Sequence, residues 1–312
     1  MIKNMPLLVG AERSGTTLLR LMLKGHPQIT WQREFEFSVD MIQDNGAFPS
    51  MESFYEFLST NRVFLGDAFK IDKALSFPEL INSFVEQTRE RDKRPIIGAT
   101  CHRHFDRLLH VWPDAKCIHL VRDGRDVARS TVQLGMAGNL WTGTQRWIDA
   151  ELVWDRMKRK LPEEQRLEIR YEDLILYPED NLRRICTFIG VEYDPQMEHF
   201  YEGTTYDKPD PKLIYQWKKK QSKEDLQLIE ARIGDMLVDR GYELSGHPTI
   251  TVGALKQKQL QWQDRWYRRK VGVKAFGWRI SIIGFLARRL GMKNLANKIQ
   301  LEMNEISNTL LK

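Results

Sequence analysis

One segment near the start of the chain combines residue types that can bind an anion. Residues 10–17 read Gly-Ala-Glu-Arg-Ser-Gly-Thr-Thr, and they lie between a predicted strand at residues 6–9 and a predicted helix. A loop in that position offers backbone N–H groups and the positive end of the helix dipole to one phosphate group. The glycines permit close approach of the backbone, while Arg13 and the hydroxyl side chains add donors. The segment therefore predicts a phosphate-binding loop.

The same segment argues against a nucleoside triphosphate as the ligand. Its spacing fits the pattern G-x-x-x-x-G-K-[ST] of nucleotide triphosphatases, but Thr16 stands where that pattern has lysine. The lysine and a magnesium ion normally neutralise the charge of a triphosphate. We therefore expect a ligand of lower charge that is bound without a metal. The alternative is a glycine-containing turn that merely begins a helix.

A second candidate anion site lies further along the chain, in residues 118–130. A predicted strand ends at Arg122, and Ser130 follows about two helical turns later in the next predicted helix. Because ligands of open α/β sheets bind at the carboxyl ends of strands, these two side chains can hold a second phosphate. A surface network of arginine and aspartate side chains at the start of the helix explains the segment about as well as a phosphate site, since Asp123 and Asp126 suit a helix N-terminus.

Taken together, the two segments resemble those of a known family, the sulfotransferases that use 3′-phosphoadenosine 5′-phosphosulfate (PAPS). Residues 10–17 are similar to the 5′-phosphosulfate loop of that family, and residues 121–130 are similar to its 3′-phosphate element. Residues 170–174, Arg-Tyr-Glu-Asp-Leu, match a third block, and residues 217–242 match a fourth. The resemblance spans about residues 5–245 in order. It is closest to the bacterial and protein-tyrosine sulfotransferase branch.

This resemblance implies transfer of the sulfuryl group of PAPS to an acceptor hydroxyl, or as a second choice an amine, with PAP as the product and no metal required. Cationic side chains and N–H donors can stabilise the in-line transition state, because the sulfuryl group carries less charge than a phosphoryl group. The implied donor-binding residues are Arg13, Ser14, Gly15, Thr16 and Thr17 for the 5′-phosphosulfate, Arg122 and Ser130 for the 3′-phosphate, and Tyr171 as a further contact. Lys218 to Lys220 either close over the 3′-phosphate or form a solvated basic turn.

Deprotonation of the acceptor hydroxyl requires a general base, for which the resemblance implies two candidates. Glu34 falls where the tyrosine branch has its catalytic glutamate; the alternative for this residue is a surface carboxylate paired with Arg33. His102 follows a predicted strand, where cytosolic sulfotransferases place Lys-Thr-His with the histidine as base. We rank Glu34 before His102, because a lone histidine is more often structural.

One position departs from the family pattern in a way that affects catalysis. Thr100 replaces the lysine that family members often use at the bridging oxygen of the donor. Another cation is then needed for the negative charge of the leaving group. Arg13 or Arg103 is expected to supply it.

Strands and helices alternate along the body of the chain, which predicts the scaffold for both candidate sites. Short runs at residues 6–9, 95–98, 116–121 and 167–171 predict strands. The predicted helices lie at about residues 16–24, 50–61, 77–91, 105–112, 140–160, 181–189 and 222–240, with one more just after residue 121. This alternation is typical of a parallel sheet covered by helices. We predict an α/β fold of the P-loop type with helices on both faces, forming a sulfotransferase domain over residues 1–245.

Composition excludes several classes of protein. Of the 312 residues, 42% are hydrophobic and 29% are charged, which is not typical of disordered or collagen-like chains. The three cysteines, Cys101, Cys117 and Cys186, are scattered and form no C-x-x-C, so we predict neither a disulfide framework nor a structural zinc site. We also predict neither a signal peptide nor a membrane span, and we expect a reducing, cytoplasmic setting.

The positive charge belongs to the end of the chain. Residues 246–312 hold 13 Lys/Arg and 3 Asp/Glu, whereas residues 1–245 hold 35 and 39. Aromatic side chains are interspersed with the basic ones, which predicts a basic, mainly helical C-terminal extension over residues 246–312. We expect it to pack on the body or on a second subunit, with peripheral membrane contact as the alternative. No motif indicates nucleic-acid binding.

Two other functions fit part of the sequence. A P-loop small-molecule kinase with an altered loop would use magnesium-dependent ATP, but it would leave Arg122 and Ser130 without a role. A non-catalytic nucleotide-binding or membrane-adaptor protein would bind PAP without transfer to any acceptor. The identity of the acceptor is not encoded in any pattern that we recognise.

Overall fold

Five parallel strands form the single sheet of the computed structural model, which describes residues 1–310. The strands are β1 (Pro6–Val9), β2 (Ile29–Glu34), β3 (Ile96–Cys101), β4 (Lys116–Val121) and β5 (Arg166–Arg170). Their order in the sheet is β2-β3-β1-β4-β5, and every neighbouring pair is parallel. The central position of β1 places the loop that follows it at the middle of the carboxyl edge. This arrangement confirms the predicted parallel α/β sheet.

Helices connect the strands and cover the sheet. They are α1 (Thr16–Gly25), α2 (Met51–Leu58), α3 (Arg62–Asp67), α4 (Phe77–Asp92), α5 (Gly124–Gln133), α6 (Leu140–Gly143), α7 (Gln145–Lys158), α8 (Tyr171–Leu176), α9 (Pro178–Ile189), α10 (Trp217–Lys220), α11 (Lys223–Asp239), α12 (Ala254–Arg289) and α13 (Lys293–Leu310). The segment predicted as a helix at 105–112 is instead a 3-10 helix, Phe105–His110. It is short, and it begins directly after His104, which has a positive φ of 51°. Short pieces of this kind commonly adopt the tighter 3-10 geometry.

Apolar residues are buried on both faces of the sheet. Along β1, Leu7 and Val9 belong to one buried cluster and Leu8 belongs to another, as expected from the alternation of side chains in a strand. The first cluster is rich in aromatic residues, including Phe35, Phe84 and Trp154. The second packs α1, α8 and α9 against the other face. Burial on both faces explains why the predicted strands appear as short continuous apolar runs.

Strand β2 was not predicted, although it forms one edge of the sheet. Its last three residues are Gln32, Arg33 and Glu34, which interrupt the apolar pattern. The strand is nevertheless held in place, because the indole of Trp31 covers Gly98 of β3 so closely that a Cβ there would lie 2.5 Å from the ring. A register shift occurs between Gln32 and Glu34. It brings Glu34 opposite Thr100 at the carboxyl end of β3.

The C-terminal extension consists of two helices that contact the body. Helix α12 is kinked at Gly277, which has a φ of 79°, and α13 packs against it. Asp264 accepts hydrogen bonds from the backbone N–H of Gly138 and from the Thr142 hydroxyl, at 2.8 and 3.0 Å. At the other end, Asn304 donates to the Thr60 carbonyl. Residues 311 and 312 of the predicted extension lie outside the described residues, and the division of the chain near residue 245 stays a prediction.

Within residues 1–310, the helices are all too short or too polar to cross a membrane.

Candidate active site

The loop between β1 and α1 has the geometry of an anion-binding turn. Gly10 has a φ of 147°, and a Cβ at this position would lie 2.4 Å from the carbonyl oxygen of Leu120 in β4. Gly15 has a φ of 93°, and a Cβ there would lie 2.3 Å from the ring of Tyr171. Both positions therefore require glycine, which lets the backbone pass close to its neighbours. The first N–H groups of α1 follow directly and have no partner within the helix.

Arg13 joins the two segments that the sequence marked as anion sites. Its backbone adopts a φ of 73°, in the left-handed region. The Arg13 Nε donates to the hydroxyl of Ser130 at 3.1 Å, and the Arg122 Nη1 donates to the Arg13 carbonyl at 3.2 Å. The loop after β1 and the end of β4 with helix α5 therefore form one site. Anion binding by this loop, rather than a glycine turn that merely begins a helix, stays a prediction.

Arg122 keeps its charge available. It donates to two backbone carbonyls, those of Arg13 and Leu213, and its guanidinium lies 4.4 Å from the centre of the Tyr171 ring. The closest carboxylate is that of Asp126, at 4.0 Å, and this group accepts hydrogen bonds from two backbone N–H groups of the segment around α10. Arg122 is thus oriented by neutral groups and an aromatic face rather than by a close ion pair.

Two buried polar atoms in this region have no hydrogen-bond partner within residues 1–310. They are the Ser14 hydroxyl and the Arg122 Nε. Buried donors are normally paired, because leaving one unpaired costs free energy. Their presence beside the loop N–H groups fits a bound anion that completes both sets of hydrogen bonds. The residues present therefore fit the phosphate groups of a nucleotide.

A cavity of about 350 Å³, which we call the smaller cavity, lies against Arg122 and the start of α1, while Ser14 and Ser130 are next to its lining residues but not among them. Arg13, Arg122 and Tyr171 line it together with the first turn of α1, residues 15–18. The loop of residues 205–213 closes the opposite side, and it contributes Tyr206 and Lys208. This size is within the range of small-molecule sites. Sequence reasoning did not single out the 205–213 loop, which has no motif of its own.

Lys218 and Lys220 lie in α10, beside the candidate site but outside the smaller cavity. The two N–H groups that Asp126 accepts, those of Gln216 and Trp217, tie α10 to α5. Lys220 donates to the side chain of Gln216 at 3.2 Å, while the Lys218 ammonium lies 5.1 Å from the centre of the Tyr215 ring. A role for these lysines in binding stays a prediction.

His102 lies on the other side of the loop, between a carboxylate and a hydroxyl. Its Nδ1 is 2.6 Å from Glu36 Oε1, and its Nε2 is 2.9 Å from the hydroxyl of Thr16. The Glu36 carboxylate also accepts the backbone N–H of His102 at 3.0 Å. An ionised Glu36 carboxylate can only accept a hydrogen bond, so Nδ1 carries the proton that it accepts, and in the neutral imidazole the lone pair of Nε2 is then on the side of the Thr16 hydroxyl. Sequence reasoning missed Glu36 as a partner, since it is 66 residues away along the chain.

The side chains of His102 and Glu36 shift each other's pKa. Burial alone would lower the pKa of His102, but the hydrogen bond and the charge of Glu36 raise it above its ordinary value. Burial would likewise raise the pKa of Glu36, but the hydrogen bond and the charge of His102 lower it. Glu36 is therefore ionised at neutral pH and holds the imidazole in one orientation.

Glu34, the first-ranked base, lies in a more exposed position. Its side chain is 54% exposed, and its carboxylate is 4.0 Å from the guanidinium of Arg62 rather than paired with Arg33 as the alternative supposed. Arg33 is instead bound to Asp67 at 3.1 Å. Glu34 does not line the smaller cavity or the larger one described below. Its catalytic role stays a prediction.

Thr100, at the position of the missing lysine, and Arg103, one of the two arginines expected to replace its charge, both have defined partners. The Thr100 side chain is buried and accepts a hydrogen bond from the Trp31 indole at 3.0 Å, so it is part of the core. Arg103 makes two hydrogen bonds to the Asp40 carboxylate, at 2.8 and 2.7 Å. The charge of Arg103 is therefore largely neutralised. Arg13 has no carboxylate within ion-pair distance in the described part of the chain.

A second cavity of about 610 Å³, the larger cavity, opens on the His102 side of the loop. His102 and Glu12 line it at the loop, and Trp141, Arg232 and other residues of α5 to α7 and α11 form its walls. Helix α12 contributes Gln261, Asp264 and Arg268. Glu12 is paired with Arg146 across the entrance. Thr16 is the link between the cavities, because it lines the smaller one while its hydroxyl contacts His102 in the larger one.

Among residues 1–310, no group of three or more His, Cys, Asp or Glu side chains is arranged to hold a metal ion. All three cysteines are buried and free.

Comparison with known proteins relates the chain to one family. A family model described as Sulfotransferase family matches residues 7–195, which is more than half of the chain. A Drosophila melanogaster protein-tyrosine sulfotransferase is 23% identical over 220 residues, covering 64% of this chain and 41% of the fly protein. An omega-hydroxy-beta-dihydromenaquinone-9 sulfotransferase of Mycobacterium bovis is 36% identical over 123 residues, covering 35% of this chain and 32% of the relative. The matches thus span about half or less of these relatives.

The fold is also similar to that of solved structures. A sulfotransferase domain from the curacin biosynthetic pathway superposes with a TM-score of 0.58 at 18% identity, covering 78% of this chain and 99% of the domain. A likeness at this identity concerns the fold alone. It agrees with the parallel sheet and its covering helices.

Proposed function

The chain belongs to the sulfotransferase family, and on that basis we propose that it transfers the sulfuryl group of PAPS to a hydroxyl group of an acceptor. The observation that carries the proposal is the contact between Thr16 and His102. It joins a cavity whose lining residues fit a phosphorylated donor to a cavity that contains a general base. An acceptor in the larger cavity and a donor in the smaller one would therefore meet at the phosphate loop.

The smaller cavity would hold the donor. When bound, PAPS supplies the sulfuryl group, and PAP is its remainder after transfer. The loop N–H groups and the Ser14, Thr16 and Thr17 hydroxyls would bind the 5′-phosphosulfate, because they lie at the start of α1. Arg122 and Ser130 would bind the 3′-phosphate, and Tyr171 would keep Arg122 in place. The unpaired Arg122 Nε and Ser14 hydroxyl support these assignments.

We assign the general base to His102, ahead of Glu34. When the imidazole is neutral, a proton on Nδ1 that is donated to Glu36 would leave the Nε2 lone pair directed at the Thr16 hydroxyl of the loop. As the acceptor hydroxyl enters, it would replace Thr16 as the partner of Nε2 and give up its proton there. The negative charge of Glu36 stabilises the imidazolium that forms. Glu34 lacks this arrangement, because it is exposed and lies beside Arg62.

Arg13 is the best candidate for the charge at the leaving group. Its guanidinium is part of the loop and is held by a neutral hydroxyl, whereas Arg103 is occupied by Asp40. A cation without a close carboxylate can stabilise the charge that develops on the donor phosphate in the transition state. Arg13 would therefore do the work that the family lysine does at the position of Thr100.

The acceptor is expected to be a hydroxyl compound that fits the larger cavity. The walls combine the indole of Trp141 with arginines that are mostly paired, such as Arg146 with Glu12. The names of the relatives point to a protein tyrosine in one case and to a hydroxylated menaquinone in the other. These acceptors differ strongly in shape, so the cavity must be tested with a broad panel of phenols, alcohols and amines.

The proposal is tested by thermal-shift titration with PAP and, in parallel, with ATP and magnesium. A ligand that binds the native state raises its melting temperature by mass action. We expect stabilisation by PAP, which is lost in Arg13→Ala and in Arg122→Ala. The matched control is Arg159→Ala, an exposed arginine at the end of α7, which should keep the full response to PAP.

The outcomes distinguish the alternatives. A response to ATP with magnesium and none to PAP would indicate a kinase and refute the sulfotransferase proposal. A response to PAP without sulfuryl transfer to any acceptor of the panel would indicate a non-catalytic nucleotide-binding protein. Transfer that persists unchanged in His102→Ala would exclude His102 and return Glu34 to the first rank.

A further inference from the structure

The outer face of helix α12 carries an apolar stripe that no other part of residues 1–310 covers. The stripe consists of Leu255, Trp262, Trp266 and Val273, which are 84%, 60%, 48% and 42% exposed. Their spacing of seven, four and seven residues places them within about 40° of one another around the helix axis. The opposite side of the helix contains the buried Leu260 and Asp264, which contact the body. An exposed row of large apolar side chains marks an interaction surface.

Basic side chains border this stripe on both sides. Lys258, Arg265 and Arg269 follow one border, and Lys256, Lys270 and Lys274 follow the other. All six are exposed. The whole helix contains ten Lys/Arg and one acidic residue, Asp264, which is buried and paired with Arg268 at 2.6 Å. The outer face of α12 is therefore apolar along its centre and strongly positive along its edges.

The pattern continues beyond the kink at Gly277. Trp278, Ile282 and Phe285 are 65%, 50% and 51% exposed. Helix α13 packs behind this part of α12, where Ile299 lies against Gly284, so that a Cβ on the glycine would be 2.9 Å away. The second half of α12 thus also presents apolar side chains outward while its inner side is covered.

The charge pattern discriminates between possible partners. A second copy related by a two-fold axis would bring the same positive face against itself, and like charges at close range repel. Nucleic-acid phosphates would satisfy the basic borders, but their charged backbone would be placed against the central apolar stripe. A bilayer with anionic lipids matches both features, since headgroups pair with the basic residues while the acyl boundary takes up the apolar ones. Tryptophan is also enriched at this depth of a membrane.

We propose that α12 binds the surface of a membrane that contains anionic lipids. The helix would lie in the plane of the interface, with the stripe of Leu255, Trp262, Trp266 and Val273 inserted. Its inner side lines the larger cavity through Gln261, Asp264 and Arg268. Because the two sides of one helix are only about 10–12 Å apart, membrane binding would hold that cavity close to the bilayer. The proposal does not depend on the sulfotransferase activity.

Co-sedimentation of the full chain with lipid vesicles tests this proposal without PAPS or an acceptor. The vesicles are pure phosphatidylcholine or phosphatidylcholine with about 30% phosphatidylglycerol, a mixture that carries a negative surface potential. We expect binding to the anionic vesicles to exceed binding to neutral ones at least about tenfold, because each basic residue near the surface adds to the attraction. Raising the salt to about 0.5 M should weaken the binding.

Paired variants identify the residues involved. Trp262→Ser with Trp266→Ser should reduce binding to anionic vesicles about tenfold by removing the inserted groups. Arg265→Glu with Arg269→Glu should reduce it at least as much by reversing the charge of one border. Two matched controls on the body, Val238→Ser and Arg159→Glu with Lys160→Glu, should leave the binding unchanged. Circular dichroism and the PAP thermal shift show whether each variant keeps its fold.

Several results would overturn the proposal. These are absence of binding to anionic vesicles, equal and salt-independent binding to both vesicle types, or binding that the α12 variants retain. A concentration-dependent dimer that Trp262→Ser with Trp266→Ser abolishes, without vesicle binding, would identify a second copy as the partner. Binding of a single-stranded oligonucleotide without vesicle binding would assign the face to nucleic acid.

Discussion

Arg122 and Arg125 lie three residues apart at the junction of β4 and α5, yet they have opposite surroundings. Arg125 is buried and donates to Asp123 at 2.7 Å and to Glu230 at 2.7 Å, and its guanidinium lies 3.6 Å from the centre of the Trp217 ring. Arg122 donates to two carbonyls and has an Nε without a partner among residues 1–310. Arg125 is paired with two carboxylates, whereas the charge of Arg122 is not neutralised by a close ion pair.

The comparison distinguishes an arginine that is neutralised within the protein from an arginine that is open to an anion. A buried arginine with two carboxylates is internally neutralised, so it holds α5, α10 and α11 together and offers nothing to a ligand. An arginine held by carbonyls and an aromatic ring is positioned without being neutralised, so an anion can complete its hydrogen bonds. The sequence allowed an arginine–aspartate network at the start of α5 as an alternative to an anion site. Such a network is present at Arg125, where it is buried, and not at Arg122.

The largest effect is expected from Arg125→Ala. Removal of the guanidinium takes away a cation that lies 2.7 Å from both Asp123 and Glu230 and leaves these charges with neutral hydrogen-bond donors alone, which should lower the free energy of unfolding by about 3–5 kcal/mol. Equilibrium denaturation at pH 7 measures this loss. Arg159→Ala is the exposed control and should change the value by less than about 0.5 kcal/mol. A loss below about 1 kcal/mol for Arg125→Ala would show that the two arginines do not differ as proposed.

His102 is intermediate between Arg125 and Arg122, because it is paired with a carboxylate, Glu36, and is also expected to react. His102→Ala should lower kcat about 10²–10³-fold, since a general base contributes on that scale. The measurement uses PAPS turnover with the best acceptor from the panel. His199→Ala, which changes an exposed histidine, is the control. A loss of less than about fivefold would contradict the assignment of His102 as base.

The pH dependence of the same pair follows from the direction of its pKa shifts. Glu36 raises the pKa of His102, so Glu36→Gln should lower it. The imidazole then loses its proton at a lower pH, and the acidic limb of the kcat/KM profile moves to lower pH. NMR titration of the imidazole gives the same information without an acceptor. An unchanged or raised pKa of His102 in Glu36→Gln would contradict the coupling.

Arg122→Ala should reduce the affinity for PAP more than the stability, whereas Arg125→Ala mainly reduces the stability. It removes a cation that is 4.0 Å from Asp126 and outside hydrogen-bond distance, and Asp126 keeps its two backbone N–H donors, so the free energy of unfolding should fall by at most about 1 kcal/mol. The affinity for PAP should fall about 10–100-fold, which corresponds to the loss of hydrogen bonds between charged groups. Calorimetric titration measures the affinity. A large loss of stability with unchanged PAP affinity would make Arg122 a structural residue.

The smallest effect is expected from Ser14→Ala. The buried hydroxyl has no partner within residues 1–310, so its removal should leave the stability unchanged or raise it by up to about 1 kcal/mol. The affinity for PAP should fall about fivefold, which is the worth of one ordinary hydrogen bond. A clear loss of stability would show that the hydroxyl is satisfied within the protein.

Local patterns predicted most of the sheet and its helices. Strands β1 and β4 have the predicted bounds, because each is a buried apolar run directly before a polar loop. Strand β2 was not predicted, because it ends in three polar residues. It is held by a contact between Trp31 and Gly98, which no local sequence pattern reveals. The 3-10 helix at Phe105–His110 had the spacing of an α-helix, but the segment is too short and too constrained by its neighbours to form one.

The sequence by itself determined the chemistry of the site. The types and order of residues 10–17 and 118–130 predicted an anion-binding loop and a second cationic element, and they indicated the family to which the chain belongs. These conclusions depend on residues that are close along the chain, where spacing and backbone geometry act directly. A phosphate loop between a strand and a helix is a local structure, and local structure is encoded locally.

Only the tertiary structure decided which of these charged side chains are paired and which groups surround His102. Glu230 lies 105 residues from Arg125, and Glu36 lies 66 residues from His102. The state of a charged side chain depends on the groups that surround it in space and on how far they exclude water. Those groups come from different strands and helices, so their identity follows from the packing of the sheet rather than from the spacing of the motif.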